Sequence, residues 1–144
     1  MRRVVITGMG IVSSIGNNVQ EVTASLREAK SGIVKAPEYA EMGFRSQVHG
    51  APTLDWEEVL DRKVRRFMGA GSAWNYIAME QAIQDSGLGE DEISHERTGM
   101  VMGSGGPSTK SIVWSADTAR ERGPKKVGPF EVPKAMSSTA SATL

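Results

Sequence analysis

The feature of the sequence that most constrains the fold is an apolar run followed at once by two closely spaced glycines. Residues 4–7 (VVIT) have the composition of a buried β-strand, and Gly8 and Gly10 come directly after them. A strand that enters a G-x-G turn is typical of α/β proteins, including those that bind dinucleotides. The run therefore predicts the first core strand of an α/β fold and leaves open whether the glycines hold a nucleotide or pack in a tight buried turn.

The dinucleotide interpretation fits poorly beyond the first two glycines. The fingerprint requires a third glycine, and Ser13 stands in its place. The helix should begin at Gly10 so that its N-terminus meets the pyrophosphate, yet the helix caps, Asn17 and Asn18, come well after it. The fingerprint also has an acidic residue about 20 residues after the glycines, but residues 30–32 (KSG) occupy that place and none of them is acidic. A tight buried turn is favoured, and a nucleotide-binding oxidoreductase is the weakest of three functional hypotheses.

A second glycine-rich segment, residues 103–106 (GSGG), only partly matches a phosphate-binding loop. Lys110 and Ser111 match the last two positions of G-x-x-x-x-G-K-[ST], but neither required glycine is present and Pro107 removes one backbone N–H. Residues 97–108 are predicted to form a second strand that enters this loop. The loop itself predicts a turn that another chain segment or a ligand approaches closely.

Helix signals organise much of the remaining chain. Asn18 and Glu21 have the spacing of a capping box, and Gly32 is predicted to end the helix that they begin. A longer helix is predicted from about residue 61 to about residue 85, with Gly87 as its C-terminal stop. Its middle, residues 69–73 (GAGSA), contains two glycines that cost about 1 kcal/mol each relative to alanine. Such small residues indicate that another backbone packs close to the helix.

Shorter elements are predicted around these helices. Residues 44–50 (FRSQVHG) predict an edge strand, and residues 53–60 (TLDWEEVL) predict a helical turn. Ser108 can cap another helix, whose predicted apolar face is Ile112, Val113, Ala116 and Ala119. Pro133 is predicted at the first position of a last helix. The chain is expected to be part of a longer protein, because a buried helix that stops at Leu144 would leave carbonyls without partners.

Composition excludes several classes of function. Seventeen Lys and Arg residues balance 17 Asp and Glu residues, so net charge gives no general attraction to nucleic acid or to a membrane. The absence of cysteine excludes disulfides and a cysteine nucleophile within these residues and fits the cytoplasm. His49 and His95 stand alone in polar segments, and Ser104 is not in a G-x-S-x-G elbow. The sequence therefore predicts no catalytic residue, metal site or cofactor within this chain.

Two clusters of basic residues remain unexplained by this account. The first comprises Arg62, Lys63, Arg65 and Arg66, and the second comprises Arg120, Arg122, Lys125 and Lys126. Like charges three and four residues apart repel each other on a helix, and positive charge is disfavoured at the predicted helix start. A solvated surface is one interpretation of each cluster, and this arrangement adds weight to the other, a surface that binds an acidic partner.

Several motifs occur in an order that resembles the bacterial β-ketoacyl-[acyl-carrier-protein] synthases. They are VVITGMGIVSSIGNN, SLREAKSGI, DRKVRRFM, EQAIQDSGL, GSGG and VGPFEVPKAMSS, and the SSIGNN and DRKV forms are most similar to the synthase I branch. The resemblance implies the N-terminal part of a thiolase-like, layered αβαβα fold in a homodimer. It implies a decarboxylating Claisen condensation in fatty acid elongation, without cofactor. Its nucleophilic Cys and two His lie beyond residue 144, so residues 1–144 alone are expected to be inactive.

The resemblance also assigns roles to residues that are present. It implies an acyl-chain pocket formed by Gly106, Ile112, Val132, Ala135 and Met136. It implies docking of acidic acyl carrier protein on Arg62, Lys63 and Arg66, with Arg122 and Lys125 as further contacts. Pro107 departs from the family's pattern, in which the glycine run continues. A stand-alone module that binds the carrier protein is the alternative to a portion of an enzyme.

Overall fold

The structure of the protein is a computed structural model that describes residues 3–106 and 108–144. Pro107 lies outside the described residues. The helices are α1 (Val19–Arg27), α2 (Pro37–Glu41), α3 (Trp56–Val59), α4 (Arg62–Arg65), α5 (Ala70–Ser86), α6 (Glu90–Ile93), α7 (Thr109–Arg122), α8 (Glu131–Lys134) and α9 (Thr139–Thr143), with a 3₁₀ turn at Pro124–Lys126. Strands β1 (Ile33–Lys35) and β2 (Val48–Gly50) pair antiparallel, with Ile33 opposite Gly50. Within the described residues, no helix is both long and apolar enough to cross a bilayer.

The predicted N-cap at Asn18 is confirmed, but the capping box is only half formed, because Glu21 bonds to the N–H of Asn17 and not to that of the N-cap. The Asn18 side chain accepts a hydrogen bond from the Glu21 backbone N–H at 2.9 Å. The Glu21 carboxylate in turn accepts from the Asn17 N–H at 2.8 Å. Both bonds satisfy N–H groups that have no partner inside the helix, which fixes where α1 begins.

The prediction that Gly32 ends this helix is wrong. Helix α1 ends at Arg27, and Ala29 takes the left-handed conformation, with φ of 53°. The Lys30 N–H then closes the turn on the Ser25 carbonyl at 2.8 Å. Gly32 serves close packing instead, because a Cβ there would lie 2.3 Å from the Ser14 carbonyl oxygen.

Four short-range predictions are confirmed. Strand β2 lies inside the segment predicted as an edge strand, and α3 lies inside the predicted helical turn. Ser108 caps α7 by accepting from the Ser111 N–H at 3.4 Å. Gly87 ends α5 in the left-handed conformation, with φ of 69°, as expected of a helix C-terminus.

The single helix predicted from about residue 61 to about residue 85 is instead two helices, α4 and α5. The chain is extended at Gly69, which is the N-cap of α5. A Cβ at Gly69 would lie 2.8 Å from the Ser108 Cβ, so the close packing predicted for this small-residue segment occurs at Gly69. Gly71, in contrast, has open space around it. The break turns Met68 inward, where it is 1% exposed, into a core with Leu60, Ala73 and Ile77.

Neither of the two predicted core strands forms within the residues that the structure describes. Residues 4–7 belong to no sheet within the described part of the chain, and Val4 and Ile6 are 92% and 83% exposed. Residues 97–106 likewise form no strand, and Val101 is 99% exposed. An apolar run supplies the side chains of a core strand, but a strand also requires a neighbour for its hydrogen bonds. Within residues 3–106 and 108–144, neither segment has such a neighbour.

The last two helical predictions are partly wrong. The predicted apolar face of α7 does not face the interior, since Ile112 and Val113 are about half exposed and Ser111 and Thr118 are buried. Small hydroxyl-bearing residues seven positions apart share one helical face, and α7 packs against the 3₁₀ turn and α8. Pro133 is the third residue of α8 and not the first of a long helix, which is interrupted before α9 begins at Thr139.

Candidate functional site

The first glycine pair lies against the backbone of α5. A Cβ at Gly8 would be 2.2 Å from the Ala82 carbonyl oxygen, and one at Gly10 would be 1.8 Å from the Ala78 carbonyl oxygen. Any side chain at these positions would overlap main-chain atoms of the helix. The close packing favoured from the sequence is therefore confirmed as the role of these glycines, although the chain forms no turn at residues 8–10 and both glycines are half-buried.

The backbone amides around the glycines already have partners. The Met9 N–H donates to the Asp85 carboxylate at 2.9 Å, and the Ile11 N–H donates to the Gln81 side-chain oxygen at 3.1 Å. The Gln81 amide nitrogen also donates to the Asn17 carbonyl at 2.8 Å. These are the amides that a phosphate would need, and one of them already faces a carboxylate. The segment is built to hold α5 and not a nucleotide, which removes the main support for the oxidoreductase hypothesis.

A small cavity of about 180 Å³ lies beside the second glycine-rich segment. It is bounded by the first turns of α5 and α7, and Gly106, Met136 and Lys134 are among its lining residues. The Ser104 hydroxyl donates to the Gly106 carbonyl at 2.7 Å, which shapes the loop at the cavity edge. The cavity therefore has one flexible apolar side chain, Met136, among mainly small and polar groups.

The structure brings together two of the five predicted acyl-pocket residues. Gly106 and Met136 line the same cavity, whereas Ile112, Val132 and Ala135 lie outside its lining. Ile112 is 45% exposed, Val132 is 66% exposed and Ala135 is half-buried. These three residues therefore lie apart from the cavity, and their part in an acyl-chain pocket stays a prediction.

The first basic cluster divides into one bridging residue and three exposed ones. The Arg65 guanidinium donates to the Glu57 carbonyl and lies 3.4 Å from the Glu57 carboxylate, which ties α4 to α3. Arg62, Lys63 and Arg66 are exposed and have no ion pair among the residues that the structure describes. The expected crowding at the start of a long helix is wrong, because α4 is a single turn and Arg65 is directed to an acidic partner.

The second basic cluster shows the same division. Arg120 pairs with Asp117 at 3.1 Å on α7. Arg122 and Lys125 are exposed, and no acidic side chain of the described chain pairs with either. All five residues predicted to bind an acidic partner are therefore available at the surface.

An aromatic pair beside Arg66 was not identified from the sequence as part of any site. The Phe67 and Phe130 rings meet edge to face with centroids 5.1 Å apart. The Arg66 guanidinium carbon lies 4.6 Å from the Phe67 centroid and 5.4 Å from the Phe130 centroid. Phe67 follows Arg66 directly, but no local sequence signal joins it to Phe130, which is 63 positions further along the chain.

The histidines form no catalytic or metal-binding group. His49 Nδ1 lies 3.7 Å from the Glu38 carboxylate, and the His49 ring meets Tyr39 edge-on. His95 Nδ1 accepts from the Arg97 N–H at 3.1 Å. In the part of the chain that is described, no cluster of three His, Asp or Glu residues could hold a metal ion.

Comparison with known sequences gives a match along the entire chain. The family model described as "Beta-ketoacyl synthase, N-terminal domain" matches residues 1–144. 3-oxoacyl-[acyl-carrier-protein] synthase 1 of Haemophilus influenzae is 51% identical over 145 residues, and that of Escherichia coli strain K12 is 51% identical over 146 residues. Each match covers 100% of this chain and 36% of the relative, so the chain spans about a third of their length.

Comparison with solved structures confirms the expected fold class. A β-ketoacyl synthase from Burkholderia phymatum superposes with a TM-score of 0.76 at 30% identity, over 99% of this chain and 36% of that one. The ishigamide ketosynthase/chain length factor superposes with a TM-score of 0.80 at 24% identity, over 94% of this chain and 34% of that one, and supports the fold alone. The chain thus has the α/β fold of the N-terminal part of a thiolase-like synthase.

Proposed function

Because the chain belongs to the β-ketoacyl synthase family, we propose that it forms the N-terminal portion of a condensing enzyme of fatty acid elongation. The observation that carries this proposal is 51% identity along the whole chain to two 3-oxoacyl-[acyl-carrier-protein] synthases. The parent protein acts as a cytoplasmic homodimer on acyl and malonyl groups carried by acyl carrier protein. Residues 1–144 are the first portion of its synthase domain and precede the catalytic Cys.

The proposed reaction proceeds in two stages. A Cys thiolate, supplied from outside residues 1–144, attacks the acyl thioester and releases the carrier thiol. Loss of CO₂ from the malonyl thioester leaves a carbanion that attacks the acyl-enzyme carbonyl, forming the new C–C bond and freeing the thiolate. Two His residues outside this chain assist the decarboxylation and stabilise the oxyanion.

This chain would contribute substrate binding to that reaction. We place the acyl chain against Gly106, Ile112, Val132, Ala135 and Met136. Support comes from the cavity that Gly106 and Met136 share and from the exposed apolar side chains of Ile112 and Val132, which another copy could cover. The carrier protein docks on Arg62, Lys63, Arg66, Arg122 and Lys125. Support comes from their exposure and from the attraction between unpaired basic groups and an acidic protein.

A chimeric enzyme tests the proposed function. The matching segment of the Escherichia coli relative is replaced by residues 1–144, and condensation of acyl- with malonyl-acyl carrier protein is measured. We expect the chimera to retain activity within about tenfold of the parent, a change of about 1.4 kcal/mol in activation free energy, and the 144-residue chain alone to be inactive. A chimera that folds and dimerises like the parent but forms no 3-oxoacyl product would contradict the proposal.

The second candidate is a carrier-protein-binding module without chemistry of its own. It is favoured by the three exposed basic residues of α4 and its C-cap. An inactive chimera together with salt-sensitive carrier binding by the 144-residue chain would favour this candidate over the enzyme.

A further inference from the structure

Arg66 is the one residue of the first basic cluster whose charged group rests on aromatic rings. Its guanidinium carbon lies within 6 Å of both the Phe67 and the Phe130 centroids, the range in which a cation is attracted to the face of a ring. The edge-to-face contact between the two rings fixes Phe130 relative to Phe67. Phe130 nevertheless remains 38% exposed. The guanidinium is therefore held against the protein while it stays accessible to a partner.

Phe130 lies on the segment that follows the second basic cluster. It comes four residues after Lys126, a separation that an extended chain spans in at most about 14 Å. The segment is held at both ends, since the Val127 N–H bonds to the Pro124 carbonyl and the Lys134 N–H bonds to the Phe130 carbonyl. The contact between Phe130 and Phe67 therefore joins two regions of the chain that each carry exposed basic residues.

We propose that Phe130 is a positioning residue that holds Arg66 and joins the two basic clusters into one docking surface for acyl carrier protein. This docking surface comprises Arg62, Lys63, Arg66, Arg122 and Lys125, and the identity of its partner rests on the proposed function. A free arginine side chain loses much rotational freedom when a partner immobilises it. Aromatic rings that hold the guanidinium before the partner binds reduce that loss. Phe130 therefore raises the affinity of the docking surface without itself contacting the charged groups of the partner.

The expected contribution of Phe130 is modest and measurable. An exposed cation–π contact is worth about 0.5–1 kcal/mol, which corresponds to a two- to fivefold change in Kd. Phe130→Leu should weaken binding by about this factor, whereas Phe130→Tyr retains a ring and should bind like the unchanged protein. In an Arg66→Gln background the same Phe130→Leu change should have no effect, because no guanidinium remains to be held.

The experiment is a titration of the 144-residue chain with fluorescently labelled bacterial holo-acyl carrier protein at low salt. Kd is measured for the four proteins of the Phe130→Leu and Arg66→Gln cycle and for Phe130→Tyr, with helix content checked by circular dichroism. Phe130→Met replaces the leucine variant if the latter loses helix content. Equal losses from Phe130→Leu with and without Arg66, or a loss with Phe130→Tyr equal to that with Phe130→Leu, would overturn the proposal.

A charge-reversal pair separates failure of this inference from failure of the proposed function. Arg62→Glu, Lys63→Glu and Arg66→Glu together should abolish binding and its salt dependence. The matched control reverses Arg27, Lys30 and Lys35, which are exposed on α1, in the segment after it and on β1, and changes net charge equally. Equal binding by both triple variants would refute carrier docking on this surface. Loss of binding in the first alone, with no effect of Phe130→Leu, would refute only the role of Phe130.

Discussion

Substitution of Gly10 by alanine is expected to destabilise the fold strongly, because the added methyl group has no space. Its Cβ would lie 1.8 Å from the Ala78 carbonyl oxygen and 2.8 Å from the Ala82 nitrogen. Both atoms belong to the backbone of α5, which cannot rotate away as a flexible side chain would. Real Cβ atoms essentially never approach closer than 3.0 Å, so helix and segment must separate by at least about 1.2 Å.

The magnitude follows from what that separation disrupts. Overpacking of a close contact costs about 1–3 kcal/mol. The movement would also lengthen the 3.1 Å bond from the Ile11 N–H to Gln81 beyond hydrogen-bonding range, a loss of about 1 kcal/mol. We therefore expect Gly10→Ala to lower the free energy of unfolding by about 2–4 kcal/mol, a large share of the roughly 5–15 kcal/mol of a typical domain.

Guanidinium unfolding of the 144-residue chain, followed by far-ultraviolet circular dichroism, measures this change. Gly71→Ala is the matched control, because a Cβ there meets nothing within 4 Å and the position lies inside α5. Removing that helical glycine should leave stability unchanged or raise it by up to about 1 kcal/mol. A Gly10→Ala chain within about 0.5 kcal/mol of the unchanged protein would refute the packing account, since such a value is typical of neutral surface substitutions.

Three further predictions concern local stability and its pH dependence. Asn18→Ala should lower the unfolding free energy by about 1 kcal/mol through loss of the α1 cap, and Asn18→Asp should preserve it in the same guanidinium titration. Ser25→Ala should cost about 1–2 kcal/mol in that assay, because the buried hydroxyl donates to the Ile15 carbonyl at 2.6 Å; a neutral result would contradict this role. Burial, and then the nearby Glu80 carboxylate, raise the pKa of Tyr76 above 10.0. The resulting stabilisation is complete below pH 10.0 and is lost as pH rises through the raised folded-state pKa. The unfolding free energy of Tyr76→Phe should therefore fall less on alkaline titration than that of the unchanged protein. Parallel curves of unfolding free energy against pH for the two proteins would contradict this assignment.

Sequence reasoning succeeded where a structural feature depends on residues close together in the chain. The cap at Asn18 and the left-handed stop at Gly87 each require only neighbouring residues, and strand β2 pairs with β1, which lies a short distance before it in the chain. It also identified Gly8 and Gly10 as packing glycines, because Ser13 replaces the third glycine that the dinucleotide-binding fingerprint requires. The motif order was sufficient to predict the family and fold class that the comparisons support.

Sequence reasoning failed where the outcome depends on residues distant in the chain. The apolar run at residues 4–7 has the composition of a core strand, but no neighbouring strand lies beside it in the described chain. The helix predicted from about residue 61 was broken at Gly69 by the approach of Ser108. The elements that pack against α7 determine which of its faces is buried. That face carries Ser111 and Thr118, whereas Ile112 and Val113 are exposed.

The candidate sites show the same division between local and distant information. The sequence by itself determined which residues are basic, small or apolar, and their motifs predicted a carrier-docking cluster and an acyl pocket. Only the tertiary structure decided that Arg65 pairs with Glu57 while Arg66 rests on Phe130, and that Gly106 and Met136 share one cavity. The physical reason is that charge and propensity belong to a residue and its neighbours, whereas burial, pairing and close packing depend on segments that only folding brings together.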